Sequence, residues 1–194
     1  MVFTRRSLLS ASIASVLGAL GVTARTASAA EKAPGSPRRI AVVFVSKTGH
    51  TKSVAEAIRH FTGADVFQVE TVEPYPEEYR PATEVVKAEI EQGIKRPLKP
   101  LAIDLSKYDT VILGTPTWWH RPAQPLKTWM ESVDLTEKFV LTFSTHGGGG
   151  LMEVRSEFES LLPGVKLGTH FLSWGGVRRA SSDVKAWLAE NGLV

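Results

Sequence analysis

From residue 40 onward the chain alternates short apolar runs with stretches in which apolar residues recur at helical spacing. The first run, Ile40-Ala41-Val42-Val43-Phe44-Val45, is continuous and rich in β-branched residues. Such a run suits a strand buried on both faces, as in a parallel sheet with helices on each side. A helical stretch over 51–61 follows, ended by Gly63, and residues 66–72 offer a second strand. Pro74, Pro76 and Pro81 then break the chain before 84–92 regains a helical composition ahead of Gly93. Beyond this longest connection come a strand at 110–114, a helix at 123–132, a strand at 139–144, a helix at 152–162, a strand at 167–174 and a helix at 182–191. Five strands alternating with five helical patterns, without internal repeat, predict an α/β domain with a doubly wound, five-stranded parallel sheet.

A sheet of this kind binds ligands outside the carboxyl ends of its strands, where the strand order reverses. The loops after the first, third and fourth predicted strands are therefore where chemistry is expected. The first, Ser46-Lys47-Thr48-Gly49-His50-Thr51, opens a helix. Free amides and the positive end of the helix dipole attract an anion there, and Gly49 lets the backbone approach closely. The hydroxyls of Ser46, Thr48 and Thr51 add donors. A phosphate is the natural guest; an ordinary helix cap is the plainer alternative. The loop lacks the Gly-Lys-Ser/Thr ending of a nucleoside-triphosphate site and the Gly-x-Gly-x-x-Gly of a dinucleotide fold.

The second loop is Pro116-Thr117-Trp118-Trp119-His120-Arg121-Pro122. Adjacent side chains diverge, so at least one Trp is expected to be available for a flat ligand, unless both cap the edge of the core. The third is Ser144-Thr145-His146-Gly147-Gly148-Gly149-Gly150. Its glycines allow a backbone that lies against a ligand and turns amides toward ring carbonyls and nitrogens; a flexible linker is the alternative. An anion cradle, an aromatic wall and a glycine-rich loop together fit a ligand with a phosphate at one end and a planar polar ring at the other.

These three motifs, in this order, resemble the flavodoxin-like family, whose phosphate loop reads Ser/Thr-x-Thr-Gly-x-Thr. The chain is similar in particular to a subgroup with Pro-x-Trp-Trp and Thr-His-Gly-Gly-Gly-Gly, matched at Pro116 to Trp119 and Thr145 to Gly150. The resemblance covers residues from about 40 to the C-terminus and implies the strand order 2-1-3-4-5, with FMN as cofactor. It implies that Ser46, Lys47, Thr48, Gly49, His50 and Thr51 hold the FMN phosphate. Pro116, Thr117, Trp118, Trp119 and His120 would border the isoalloxazine, with Ser144, Thr145, His146, Gly147 and Gly148 on its other side.

The N-terminal segment changes how the charge is read. Arg5-Arg6, an uncharged run over 8–22 and Ala27-Ser28-Ala29 form the basic, apolar and small-residue parts of a signal peptide cleaved after residue 29. The arginine pair resembles the twin-arginine signature, with Ser7-Leu8 in place of a Phe-Leu pair. The expected organisation is a leader over 1–29, a linker over 30–38 and a domain over 39–194, exported to the periplasm or beyond. The run is too short and too weakly apolar to span a membrane, so no stable anchor is expected after cleavage.

The leader carries Arg5, Arg6 and Arg25 and no acid, which accounts for the entire formal charge of +3. The remaining chain is balanced, so the sequence pI near 9.2 gives no reason to expect nucleic acid. It also differs from the acidic surfaces of the family's electron-transfer proteins, so acidic steering of a partner is not assumed. With no cysteine, thiolate chemistry and disulfides are excluded. His50, His120 and His146 fall on the three ligand loops, whereas His60 and His170 read as structural. No metal site is expected, because there is neither Cys nor a helical His-x-x-x-His pair.

Two functions stay open. One is an electron carrier that docks on redox partner proteins; the other is an FMN-dependent NAD(P)H:quinone-type reductase acting on a small-molecule acceptor. In the second, Trp118, Trp119, His120 and Arg121 line a substrate cleft, and Arg121, Arg178 or Arg179 hold an anionic donor unless they are solvated surface charges. No residue is assigned a catalytic role. A domain that has lost flavin is a third reading, against which the intact phosphate loop stands.

Overall fold

The computed structural model describes residues 38–194. The expected leader, 1–29, and all but the last residue of the expected linker, 30–38, lie outside the described residues. Strand β1, Ile40–Phe44, is buried along its whole length and pairs in parallel with β2, Asp65–Gln68, and with β3, Thr110–Trp118. Strands β5, Phe139–His146, and β6, Lys166–Trp174, continue the sheet in the order β2-β1-β3-β5-β6. This is the doubly wound parallel sheet that the alternating pattern predicts.

The continuous apolar run of β1 is explained by its two covered faces. Ile40, Val42 and Phe44 enter one core with Ile58 of helix α1, His50–Thr62, and Leu188 of helix α5, Ser182–Glu190. Val43 enters the other with Leu126 of helix α3, Gln124–Met130, and Phe158 of helix α4, Val154–Leu161. Successive strand side chains point to opposite faces, so a strand between two helical layers must be apolar at every position. Helix α1 buries Thr51, Val54, Ala55 and Ile58, the spacing of one helical face. Gly63 closes it in the left-handed region with its amide on the Arg59 carbonyl.

Three local expectations need correction. Strand β2 stops at Gln68 instead of running to residue 72, because the chain turns away from β1 to meet residues 97–99. There the Val72 amide donates to the Pro97 carbonyl at 2.9 Å and the Lys99 amide to the Glu70 carbonyl at 2.8 Å. Helix α2 spans Tyr79–Gln92 and starts before the expected 84. Pro81 lies in its first turn, where an amide has no intrahelical acceptor, so the missing donor costs nothing. Finally, residues 116–118 are not loop: they extend β3, which folds back on a two-residue antiparallel strand β4, Arg121–Pro122.

Gly114 of β3 makes room for the ring of Phe143, its register partner on β5, for a Cβ there would lie 2.1 Å from that ring. Further along β5, Thr142 and Ser144 direct their hydroxyls to the two ring nitrogens of His170 on β6, at 2.8 and 2.9 Å. Burial, and then the Arg155 charge, push this imidazole down to about 4, so the folded state holds it neutral. Its folded pKa lies below the unfolded one, near 6.5, so its contribution to stability is complete above about pH 6.5 and is lost as pH falls toward 4. Urea unfolding between pH 7 and pH 4 is expected to show a loss approaching about 1.4 kcal/mol per pH unit from this one group. A His170→Gln variant should show a correspondingly shallower pH slope, and an unchanged slope would refute the assignment.

Candidate functional site

All parallel strands end on one side of the sheet, which brings the three predicted loops to a common rim. The turn from β1 into α1 has Gly49 in the left-handed region at φ 87°, and this N-cap residue has no side chain to cap the helix. The first-turn amides therefore lack intrahelical acceptors, and the helix dipole points its positive end at the same spot. The Ser46 hydroxyl accepts from the Lys52 amide at 3.2 Å, which folds the loop back on the helix. Thr48 and His50 are exposed, while the Lys47 ammonium donates to the Glu77 carbonyl at 2.6 Å. Thr51 is buried, and its hydroxyl lies 2.9 Å from that of Thr145 at the end of β5. This bond ties the first loop to the third.

The tryptophan segment is a hairpin rather than an open loop. Trp119 and His120 form its tip with φ of 47° and 69°. Tight two-residue hairpins need positive φ at both positions, normally supplied by Asn and Gly. For other L-residues this conformation costs ~1–2 kcal/mol each. Four contacts offset the strain. The Trp119 indole donates to the Thr83 carbonyl at 2.9 Å and the Lys87 ammonium lies over its ring. The Glu153 amide donates to the His120 carbonyl at 3.1 Å, and the Glu153 carboxylate pairs with Arg121. Trp119 remains 47% exposed, whereas Trp118 is half-buried at the edge of the α3–α4 core. Between them and Pro116, the Thr117 hydroxyl is buried without a hydrogen-bond partner.

The glycine-rich loop is organised by its own histidine. His146 Nδ1 accepts from the amides of Gly148 and Gly150, at 3.1 and 3.0 Å. A neutral ring that accepts at Nδ1 carries its hydrogen on Nε2. Two of the amides expected to face a ligand are thus used internally, and the Nε2–H becomes a donor beside exposed Trp174, 5.5 Å away ring to ring. Gly147 is exposed. Ser144 is not brought to the rim: its side chain is fully buried and bonded to His170.

One wall of the site was not anticipated from the sequence. A cleft of about 520 Å³ runs from Ser46, Lys47 and Thr48 past Trp118 to Gln68, Tyr75 and Glu77 in the β2–α2 connection. Tyr75 meets Trp118 edge-on, with centroids 4.9 Å apart. An aromatic residue held between Pro74 and Pro76, just beyond a strand's carboxyl end, is the signal that could have marked it. The loop after β6 was missed as well. It packs on the start of α1, with the Val177 amide on the Ser53 hydroxyl at 2.9 Å.

The doubly wound sheet and its helices recur in known proteins. A protein described as a flavoprotein from Bacteroides eggerthii superposes with a TM-score of 0.67 at 22% identity, covering 78% of this chain and 96% of that one. One from Bacteroides uniformis gives 0.67 at 22% identity, with coverage of 79% and 99%. A flavoprotein from Lactobacillus acidophilus, solved in complex with FMN, gives 0.63 at 20%, with coverage of 77% and 98%. At these identities the likeness is one of fold. A search among curated proteins found no match. The sequence model of the flavodoxin family matches residues 39–191, which includes every element from β1 to α5, and the chain therefore belongs to that family.

Proposed function

We propose that the chain binds FMN at this rim and acts in electron transfer, as an exported member of the subgroup with Pro-x-Trp-Trp and Thr-His-Gly-Gly-Gly-Gly loops. The observation that carries the reading is the Thr51–Thr145 bond at 2.9 Å, which joins the α1 terminus to the strand end that leads into the glycine loop. The FMN complex of the Lactobacillus acidophilus protein supports it from outside. The residues present fit such a ligand. Amides at the start of α1, with the Thr48 hydroxyl, hold the phosphate. Trp118, Trp119 and Pro116 border one side of the ring, and His146 with Gly147 the other. The orphaned Thr117 hydroxyl supplies a donor or acceptor that the protein itself leaves unused. When bound, the flavin supplies the electron transfer. The protein's own part is to fix the ring by stacking and to set its surroundings through the Nε2–H of His146.

The reading extends to the cell. Arg5-Arg6 and Ala27-Ser28-Ala29 support export by the twin-arginine route, with a domain over 39–194 released to the periplasm or beyond. A redox partner protein or a small-molecule acceptor then exchanges electrons with it. A second reading, an FMN-dependent NAD(P)H:quinone-type reductase, is favoured by the cleft beside Tyr75 and Trp118. Arg121 is less suited to hold an anionic donor, because Glu153 pairs with it.

FMN added to the flavin-free protein should lose its fluorescence through contact with Trp, and unquenched flavin would sink the assignment. Thr48→Glu should abolish binding by repelling the phosphate, whereas His60→Ala should leave it unchanged. His146→Ala, which removes the acceptor for two amides, should weaken binding several-fold, since each lost bond is worth ~0.5–1.5 kcal/mol. His146→Asn keeps an acceptor near the Nδ1 position and should recover much of the loss; equal defects in both would refute the loop-organising role. Steady-state oxidation of NADH or NADPH, with and without a quinone, separates the two functions: turnover favours the reductase, and flavin binding without turnover the carrier.

A further inference from the structure

The β2–α2 connection carries a buried cluster that none of the three loops accounts for. Glu89 of α2 is only 3% exposed, and both its carboxylate oxygens are engaged. One accepts from the Tyr75 hydroxyl at 2.7 Å, and the other pairs with the Arg96 Nε. The Arg96 guanidinium also lies over the Tyr75 ring, 4.6 Å from its centroid, and donates to the Glu73 carbonyl at 3.3 Å. Tyr75 is thus held at its hydroxyl by a carboxylate and across its face by a cation. Its free edge meets Trp118 at 4.9 Å with the planes 73° apart, on the wall of the cleft that begins at Ser46.

We infer that Tyr75, fixed by Glu89 and Arg96, is a positioning residue for Trp118 and through it for the flavin ring, an inference that rests on the FMN reading above. A buried carboxylate is costly to desolvate and is kept only where its partners satisfy it. Here those partners converge on one ring, and that ring meets Trp118 of the proposed site. Burial, followed by the neighbouring Glu89, pushes the Tyr75 phenol up, so it stays protonated and serves as a donor to Glu89 rather than as an acid or base. The same helix grips the adjacent tryptophan, since Thr83 accepts from the Trp119 indole. Helix α2 thereby sets both members of the Trp118-Trp119 pair, one through Tyr75 and one directly.

The test uses Glu89→Gln and Tyr75→Leu, with Glu56→Gln on the far part of α1 as control. Near-ultraviolet circular dichroism of the flavin-free protein reads the Tyr75–Trp118 packing, and fluorescence quenching of added FMN reads affinity. Both variants should lose Trp dichroism and raise the Kd for FMN about tenfold, while the control changes neither. Should Glu89→Gln fail to fold, Tyr75→Leu leaves the Glu89–Arg96 pair in place and carries the test alone. A folded variant with unchanged Kd overturns the inference, whatever its melting temperature, because a merely structural clamp would lower stability alone. If the wild type itself does not bind FMN, the flavin reading falls. The dichroism then still decides whether Tyr75 positions Trp118: a lost signal upholds it and an unchanged one overturns it.

Discussion

The central constraint is that β1 and β3 are covered on both faces. Val42 and Ile112 belong to the core beneath α1 and α5, and Val43 and Leu113 to the core beneath α3 and α4. Parallel strands buried this way need crossover helices on both sides, and right-handed crossovers leave every strand's carboxyl end on the same rim. The order β2-β1-β3-β5-β6 reverses direction beside β1, so the loops after β1, β3 and β5 meet there without a fold of their own. The Thr51–Thr145 bond is then a short span between neighbours, not a long-range device.

What the sheet does not supply, the helices around the rim do. The hairpin tip at Trp119 and His120 is strained and would relax if left alone. It is held from α2 by Thr83 and Lys87 and from the start of α4 by Glu153. Strain that persists only because two elements oppose it fixes the direction of both indoles. Stacking on a planar ring would require that fixed direction.

Element types were readable because the apolar periods were long and unbroken, and the turn into α1 was readable because Gly49 stands between a buried strand and a helix start. The boundaries were harder. Pro81 looks like a helix breaker in sequence, yet in a first turn it has no bond to break. The Trp-Trp-His run shows no turn residues, so its hairpin could not be expected from local preference; tertiary contacts impose it. For Tyr75 the local sequence offers only an aromatic between two prolines. Its role depends on Glu89 and Arg96, fourteen and twenty-one positions away, which only the folded chain brings to it.

The polar groups of the interior divide into two kinds, and the division bears on function. His170, Thr142 and Ser144 satisfy one another, as do Tyr75, Glu89 and Arg96, so these clusters ask for nothing from outside. The Thr117 hydroxyl and the first-turn amides of α1 other than that of Lys52 are different, for the fold buries or aligns them without completing their bonds. Thr110, at the opposite end of β3, and one Glu157 carboxylate oxygen are also buried without a partner, so an open bond marks a ligand only together with its place on the rim. Thr117 and the α1 amides lie on one rim, and a phosphate and a ring edge are groups of the right chemistry to complete them.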